Sequence, residues 1–192
     1  MRASPLTSDG LLDLLKHAAQ ETVAVDGELF STGRAAVRDH TCNNDAGHRA
    51  SERSIVFHLA RRLVPHVSGM SVDVEYNRRG PKRDAVEKKL KSYNVDLENR
   101  VFPDLIVHRR GTDKDNLLVV ECKINARTDG GDPAGWCGCA EKEIAKLAAY
   151  REDLAYQAAV FLNFRPDSRS KHSAPVGFEL FMVDGNGRVE VA

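Results

Sequence analysis

Apolar and polar positions along this chain repeat with two different periods, and each change of period marks an element. From Leu11 to Val23 the residues Leu12, Leu15 and Ala19 recur at helical spacing, which predicts a first helix, capped by Ser8 or Asp9. A stronger helix is predicted from about His48 to Val64. Ile55, Val56, Leu59 and Leu63 form its apolar stripe, Arg53, Arg61 and Arg62 flank it, and Pro65 stops it. Ser71 to Tyr76 sets Val72 and Val74 among polar residues, the pattern of a half-buried strand.

Asp84 to Tyr93 reads as a short helix. Phe102 to Arg109 and Leu117 to Ile124 read as two strands joined through a polar, Gly-containing turn at Arg110 to Asn116. Glu141 to Leu154 has helical composition, with Ile144, Leu147, Ala148 and Leu154 on one face, and Tyr156 to Phe164 is an almost continuous apolar strand. Phe178 to Val183 and Arg188 to Val191 predict a terminal hairpin about Asp184-Gly185-Asn186-Gly187. The helix between Ile124 and Tyr156 is long enough to cross over between parallel strands. The expected fold class is α/β: a mixed sheet with helices on both faces. One domain spans residues 1–192, with an insertion at about 77–101 and a closing hairpin at about 177–191.

A chain of 192 residues suits one core of ordinary size. Its apolar runs are far shorter than a membrane span, and Met1-Arg2-Ala3-Ser4-Pro5 lacks the apolar stretch of a secretory signal, so a cytoplasmic protein with no membrane partner is expected. Lys plus Arg and Asp plus Glu each number 28, which leaves no global charge to attract nucleic acid. The local picture differs. Between Arg78 and Lys91 seven basic residues face two acidic ones, a segment of +5 in a chain whose remainder carries −5. Arg78, Arg79, Lys82 and Arg83 are its candidate phosphate contacts, the alternative being a solvated loop and helix face.

Cys42, Cys122, Cys137 and Cys139 are too irregularly spaced for a disulfide scaffold. With His40 and His48, Cys42, Cys137 and Cys139 could supply zinc ligands. They match no standard two-plus-two spacing, and free thiols are the alternative.

The residues with chemical content are Pro103-Asp104 and Glu121-Cys122-Lys123. Alternation along a strand sends Glu121 and Lys123 to one face, with Leu117 and Val119. Leu118, Val120, Cys122 and Ile124 occupy the other. A strand apolar on both faces is central and covered, and ionised groups on it are costly unless paired or metal-bound. A turn between Arg109 and Leu117 brings Asp104 opposite Glu121 or within one residue of it. Only the directly opposed register joins both carboxylates on the face of Lys123. Adjacent carboxylates repel, and a divalent cation resolves the repulsion. Mg2+ takes oxygen ligands and keeps several waters, so two carboxylates and a backbone carbonyl suit it. The alternatives are a Glu121–Lys123 ion pair without catalytic use and an ordinary strand-start role for Asp104.

Asp104 followed by Glu121-x-Lys123 on neighbouring strands resembles the PD-(D/E)xK nuclease superfamily. The resemblance covers about residues 48–164 and extends to the order helix, strand, strand with Asp, strand with Glu-x-Lys, helix, strand. It implies a restriction-endonuclease-like mixed β-sheet flanked by helices, with an α-β-β-β-α-β core. It also implies roles: Asp104 and Glu121 bind Mg2+ (Mn2+ as a substitute) with the backbone carbonyl of Cys122, and Lys123 orients or deprotonates the attacking water. Glu52 matches an acidic residue on the first core helix that assists metal or water binding; the alternative for Glu52 is a helix N-terminal charge. The resemblance further implies a DNA partner and a family tendency to dimerise. The stretch from Asn77 to Arg100 lengthens the usual connection between the first two strands.

His58 and His66 read as edges of a helix face, and His108 shares the face of Asp104, the alternative being a residue that only caps the strand. Lys142, Lys146 and Tyr150 follow at helical spacing and read as a solvated face, the alternative being a reach to phosphate. No Ser elbow, P-loop or dinucleotide fingerprint appears. The expected activity is metal-dependent hydrolysis of phosphodiester bonds, of DNA in the first place, with RNA open. The alternatives are a non-cleaving nucleic-acid-binding or regulatory protein on the same fold, and a partner subunit whose basic segment binds an acidic protein.

Overall fold

In the computed structural model, residues 7–27, 52–76, 90, 102–112, 114–124, 126, 128, 138–166 and 175–191 are described. Helix α1 (Ser8–Val25) and helix α2 (Glu52–Leu63) pack against each other; the α2 stripe is buried as expected, whereas on α1 Leu15 and Ala19 are buried but Leu11 takes the place expected of Leu12, which is only partly covered. Leu11, Leu15, Ile55, Leu59 and Leu63 are fully buried, and burying each such Leu or Ile is worth about 1.5–3 kcal/mol over exposure. The cap of α1 is Thr7, whose hydroxyl accepts from the Gly10 N–H at 3.2 Å, and not the expected Ser8 or Asp9. The helix thus starts one residue earlier than a Ser8 cap allows and two earlier than an Asp9 cap allows. Asp26, at the end of α1, clamps α2 by accepting from Arg62 at 2.7 Å and contacting His58 at 3.0 Å.

Six strands follow: β1 (Ser71–Val74), β2 (Leu105–His108), β3 (Asn116–Ile124), β4 (Ala158–Pro166), β5 (Pro175–Val183) and β6 (Val189–Val191). They form one sheet in sequence order, antiparallel throughout except at β3–β4, which run parallel. Helix α3 (Gly138–Leu154) lies in the connection from β3 to β4, as expected for a crossover. Alternation splits the sheet cleanly. Leu105, Val107, Leu118, Val120 and Cys122 face α1 and α2, whereas Ile106, Val119, Ala159 and Phe161 face Ile144, Leu147 and Tyr150 of α3. The molecule is therefore a mixed α/β sheet with helices on both faces.

Four local expectations are corrected. Leu117 joins the α1/α2 core and not the face of Glu121, because the β2–β3 register shifts at Val107/His108, where Val107 pairs with Leu118 but His108 with Asn116. The extra residue is a bulge, which interrupts strict alternation. Asp73 alternates with two valines but is buried rather than solvated, since His108 and Arg110 both bind its carboxylate. On α3 the inward positions include Ala149 and Tyr150, while Ala148 is only partly covered. Leu90, the one described residue of the expected helix at Asp84 to Tyr93, is not helical and is fully buried in the α3 core. The closing hairpin is as expected: Asp184 accepts from the Asn186 and Arg188 N–H groups at 2.8 Å each, and Gly187 supplies the positive φ of 76°. Among the described residues no helix is long and apolar enough to cross a membrane.

Candidate active site

Strand β3 carries Glu121 and Lys123 on its α3-facing side. The β2–β3 register (Leu105↔Val120, Ile106↔Val119) places Asp104, one step before Leu105, opposite Glu121. Local structure fixes that position. The Cys122 N–H donates to Asp104 Oδ2 at 2.7 Å, and Asp104 O accepts from the Glu75 N–H at 3.3 Å. Glu75 adopts a positive φ of 51° as the chain leaves β1, and its carboxylate pairs with exposed Arg53 at 2.6 Å.

Glu121 and Lys123 do not pair with each other, so the ion pair considered from sequence is absent. Lys146 Nζ lies 2.9 Å from Glu121 Oε2 and 2.5 Å from Glu143 Oε2. Lys123 Nζ donates to Glu52 Oε2 at 3.0 Å and lies 3.4 Å from Glu143 Oε1. Glu52 reaches the end of β3 from the α2 layer, and its second oxygen accepts from the Ile124 N–H at 3.4 Å. The structure thus brings Glu52, Asp104, Glu121 and Lys123 together and adds two residues from α3. Lys146 does not lie on a solvated face as its helical spacing suggests; its side chain is 17% exposed and turned into the site. Glu143 is not foreseen from sequence, although the spacing Glu143, Lys146, Tyr150 could mark one face. Lys142 is exposed, as expected.

Burial dominates the electrostatics. It raises the Asp104 carboxyl above its usual range, against the pull of the Cys122 amide and of Lys146 and Lys123. It pushes Glu121 well up; Lys146 opposes this, while Asp104 and Glu143 add to it. Burial works against charge on both lysines too, but carboxylates more than offset it: Glu143 and Glu52 hold Lys123 above the usual lysine range, and Glu121 and Glu143 do the same for Lys146. Four carboxylates against two ammonium groups leave a formal charge of −2, which one divalent cation would neutralise.

Among the described residues no three His, Cys, Asp or Glu side chains form a ready-made metal cage. What remains is Asp104, Glu121 and the main chain at Cys122, a set that suits Mg2+ with its retained waters. Glu121 is 1% exposed, and its Oε1 has no hydrogen-bond partner among the described residues. Buried carboxylate oxygens are rarely left so, and the neighbouring Tyr150 hydroxyl is likewise unmatched. These residues fit the group. The Cys122 thiol points into the α1/α2 core, so only its backbone faces the carboxylates.

Beside this cluster, Asn163 on β4 is fully buried and binds both the N–H and the C=O of Ala126 at 2.9 Å, and Glu179 of β5 at 2.9 Å. Asn163 pairs with Lys123 in the parallel register, so this clamp fixes the chain just beyond the lysine. At the other end of β2, His108 Nε2 lies 2.7 Å from Asp73 Oδ2, with Arg110 on the same carboxylate and Tyr76 tilted against the imidazole at 5.0 Å. Cys122 and Cys139 pack on opposite faces of the sheet and share no site, while Cys42 and Cys137 and the histidines His40 and His48 lie outside the described residues. So do Arg78, Arg79, Lys82 and Arg83. Compared with models of protein families, with curated proteins and with solved structures, the chain matches none.

Proposed function

We propose that this chain is a metal-dependent nuclease of the PD-(D/E)xK kind, with a restriction-endonuclease-like core, hydrolysing phosphodiester bonds of DNA. The observation that carries the reading is Glu121: a buried carboxylate with an unmatched oxygen, next to Asp104 across the β2–β3 pairing. The element order α2, β1, β2, β3, α3, β4, with a parallel β3–β4 crossover, supports the same reading.

Asp104, Glu121 and the Cys122 carbonyl would hold Mg2+ or Mn2+, which supplies charge stabilisation at the phosphoryl oxygens. The chain's own residues do the rest. Lys123, held as an ammonium by Glu143 and Glu52, suits orienting the attacking water and steadying phosphate charge better than it suits removing a proton. Glu52, bonded to that ammonium and to the Ile124 N–H, holds it at the end of β3. Arg78, Arg79, Lys82 and Arg83 would track the backbone phosphates.

One observation favours a second reading. Lys146 already satisfies Glu121 Oε2, and a carboxylate paired internally needs no cation, which suits a non-cleaving nucleic-acid-binding protein on the same fold. Incubation of the purified protein with labelled duplex, single-stranded and branched DNA and with RNA, with Mg2+, with Mn2+ and with EDTA, separates the two. Metal-dependent product from any of these supports the nuclease. Binding without product in all of them supports the alternative.

A further inference from the structure

Lys146 lies midway along α3, and its ammonium stands between two carboxylates, Glu121 at 2.9 Å and Glu143 at 2.5 Å. Its place is where a cation serving Glu121 would be felt most strongly. A divalent ion at the unmatched Oε1 of Glu121 and the Lys146 ammonium at Oε2 would stand within a few ångströms of each other across one carboxylate, and their repulsion would weaken the hold of each. Lys146 nevertheless has somewhere to go. Glu143 lies three residues before it on the same helix and stays in reach whatever happens at Glu121, and the lysine side chain is a flexible four-carbon stem. Glu143 also contacts Lys123 through its other oxygen, so both ammonium groups hang from one carboxylate that is not itself in the proposed metal set.

We propose that Lys146 is an internal counter-cation of this site, occupying Glu121 while the metal is absent and passing to a phosphodiester oxygen of the substrate when a divalent cation takes that carboxylate. This rests on the nuclease reading and deepens it: metal and substrate phosphate become coupled through one side chain. Without metal, Glu121 keeps a partner and the buried carboxylates do not repel one another unrelieved. With metal, the displaced ammonium pivots about Glu143 and adds a positive charge to the surface that meets the phosphate. By linkage, whatever factor the lysine takes from metal affinity, the metal takes from the lysine's hold on Glu121. The same step accounts for the internal pairing that favours the non-cleaving reading.

The test uses the full-length chain, as wild type, Lys146→Met, and Lys142→Met, the last as an exposed control on the same helix. Calorimetric titration with Mn2+ in the absence of nucleic acid should give at least about fivefold tighter binding for Lys146→Met than for wild type, within the ordinary range of coupling between sites. Affinity for a short labelled duplex is then measured in EDTA and in Ca2+. The gain on adding Ca2+ should be smaller in Lys146→Met than in wild type by about the same factor, and unchanged in Lys142→Met. Equal or weaker Mn2+ binding by Lys146→Met, or an undiminished Ca2+ gain, overturns the counter-cation while leaving the nuclease reading intact. Wild type that binds no divalent cation overturns both. If Lys146→Met does not fold, amine acetylation of wild type mapped by mass spectrometry decides: Mn2+ should speed labelling of Lys146 and not of Lys142, and labelling of Lys146 that is unchanged or slowed overturns the proposal.

Discussion

The Cys122 main-chain N–H donates to Asp104 Oδ2 at 2.7 Å, tying the carboxylate at the start of β2 to the strand that carries Glu121 and Lys123. An asparagine at 104 keeps an acceptor oxygen for that bond but loses the charge. Asp104→Asn should therefore melt close to wild type and lose cleavage by orders of magnitude, with Mn2+ restoring part of it. Single-turnover cleavage of labelled DNA measures the loss, and duplex binding in Ca2+ should persist. A folded Asp104→Asn that cleaves as fast as wild type removes Asp104 from the site.

Lys123→Ala is expected to separate metal capture from chemistry. Asp104 and Glu121, the carboxylates proposed to hold the metal, remain, so Mn2+ binding by calorimetry should survive. The ammonium that the nuclease reading assigns to the attacking water is gone, so cleavage should fall by orders of magnitude with no rescue by Mn2+. Rescue by Mn2+ would instead place Lys123 among the groups that secure the cation.

The raised carboxyls predict an unusual pH dependence for the metal-free protein. Asp104 and Glu121 sit above ordinary values of 3.8 and 4.5, so each favours the folded state fully below those values and loses that contribution as pH rises through its folded-state value. Thermal melts in EDTA should decline from mildly acidic toward alkaline pH more steeply in wild type than in Glu121→Gln. Stabilisation by Mg2+ should grow over the same range, because the ion binds the ionised form. Parallel curves for the two proteins would show that Glu121 does not couple its charge to folding.

Asp73 gives the opposite sign in a different window. Although burial works against its charge, Arg110 and His108 hold its carboxyl well below the usual range, so its contribution is complete above about pH 4 and is lost as the solution is acidified further. Asp73→Ala leaves the His108 ring nitrogen buried without its acceptor, which costs about 1–3 kcal/mol. Urea unfolding at neutral pH measures that loss, and the variant's stability should vary less than that of wild type below pH 4. This cluster stands apart from Glu121, so DNA cleavage per folded molecule should not change.

Replacing Arg78, Arg79, Lys82 and Arg83 with Ala should weaken duplex binding and flatten its salt dependence by about 0.9 in log–log slope for each phosphate no longer neutralised. Fluorescence anisotropy across a salt series checks this. An unaltered slope would make the +5 segment a solvated face.

The carboxylate pair is legible in the sequence because both of its determinants are local. Period-two alternation puts Glu121 and Lys123 on one face of a strand apolar on both sides, and the turn length brings Asp104 opposite Glu121 or within one residue of it, the bulge at Leu117 then selecting the direct register. Glu143 and Lys146 are not legible. Within α3 their charges look like any helix surface, and only the crossover, which lays that helix over β3, turns them inward. Leu117 departs from the alternation because a bulge is set by hairpin geometry rather than by hydrophobic pattern. Asp73 reads as solvated because its partners, His108 and Arg110, come from the far end of the next strand.

The cluster draws on stretches of chain made at very different moments of synthesis. Asp104 and Cys122 are 18 residues apart and meet within one hairpin, but Glu52 and Lys123 are separated by 71 residues, and Lys146 arrives only with the helix that follows β3. Contacts so distant in sequence form late, since the loops between them must close first. A nascent or half-folded chain can therefore present the bare hairpin but not the assembled charge network. If the site cuts phosphodiesters, competence appears only with the finished fold, and the ribosome-bound chain, surrounded by RNA, carries no working blade.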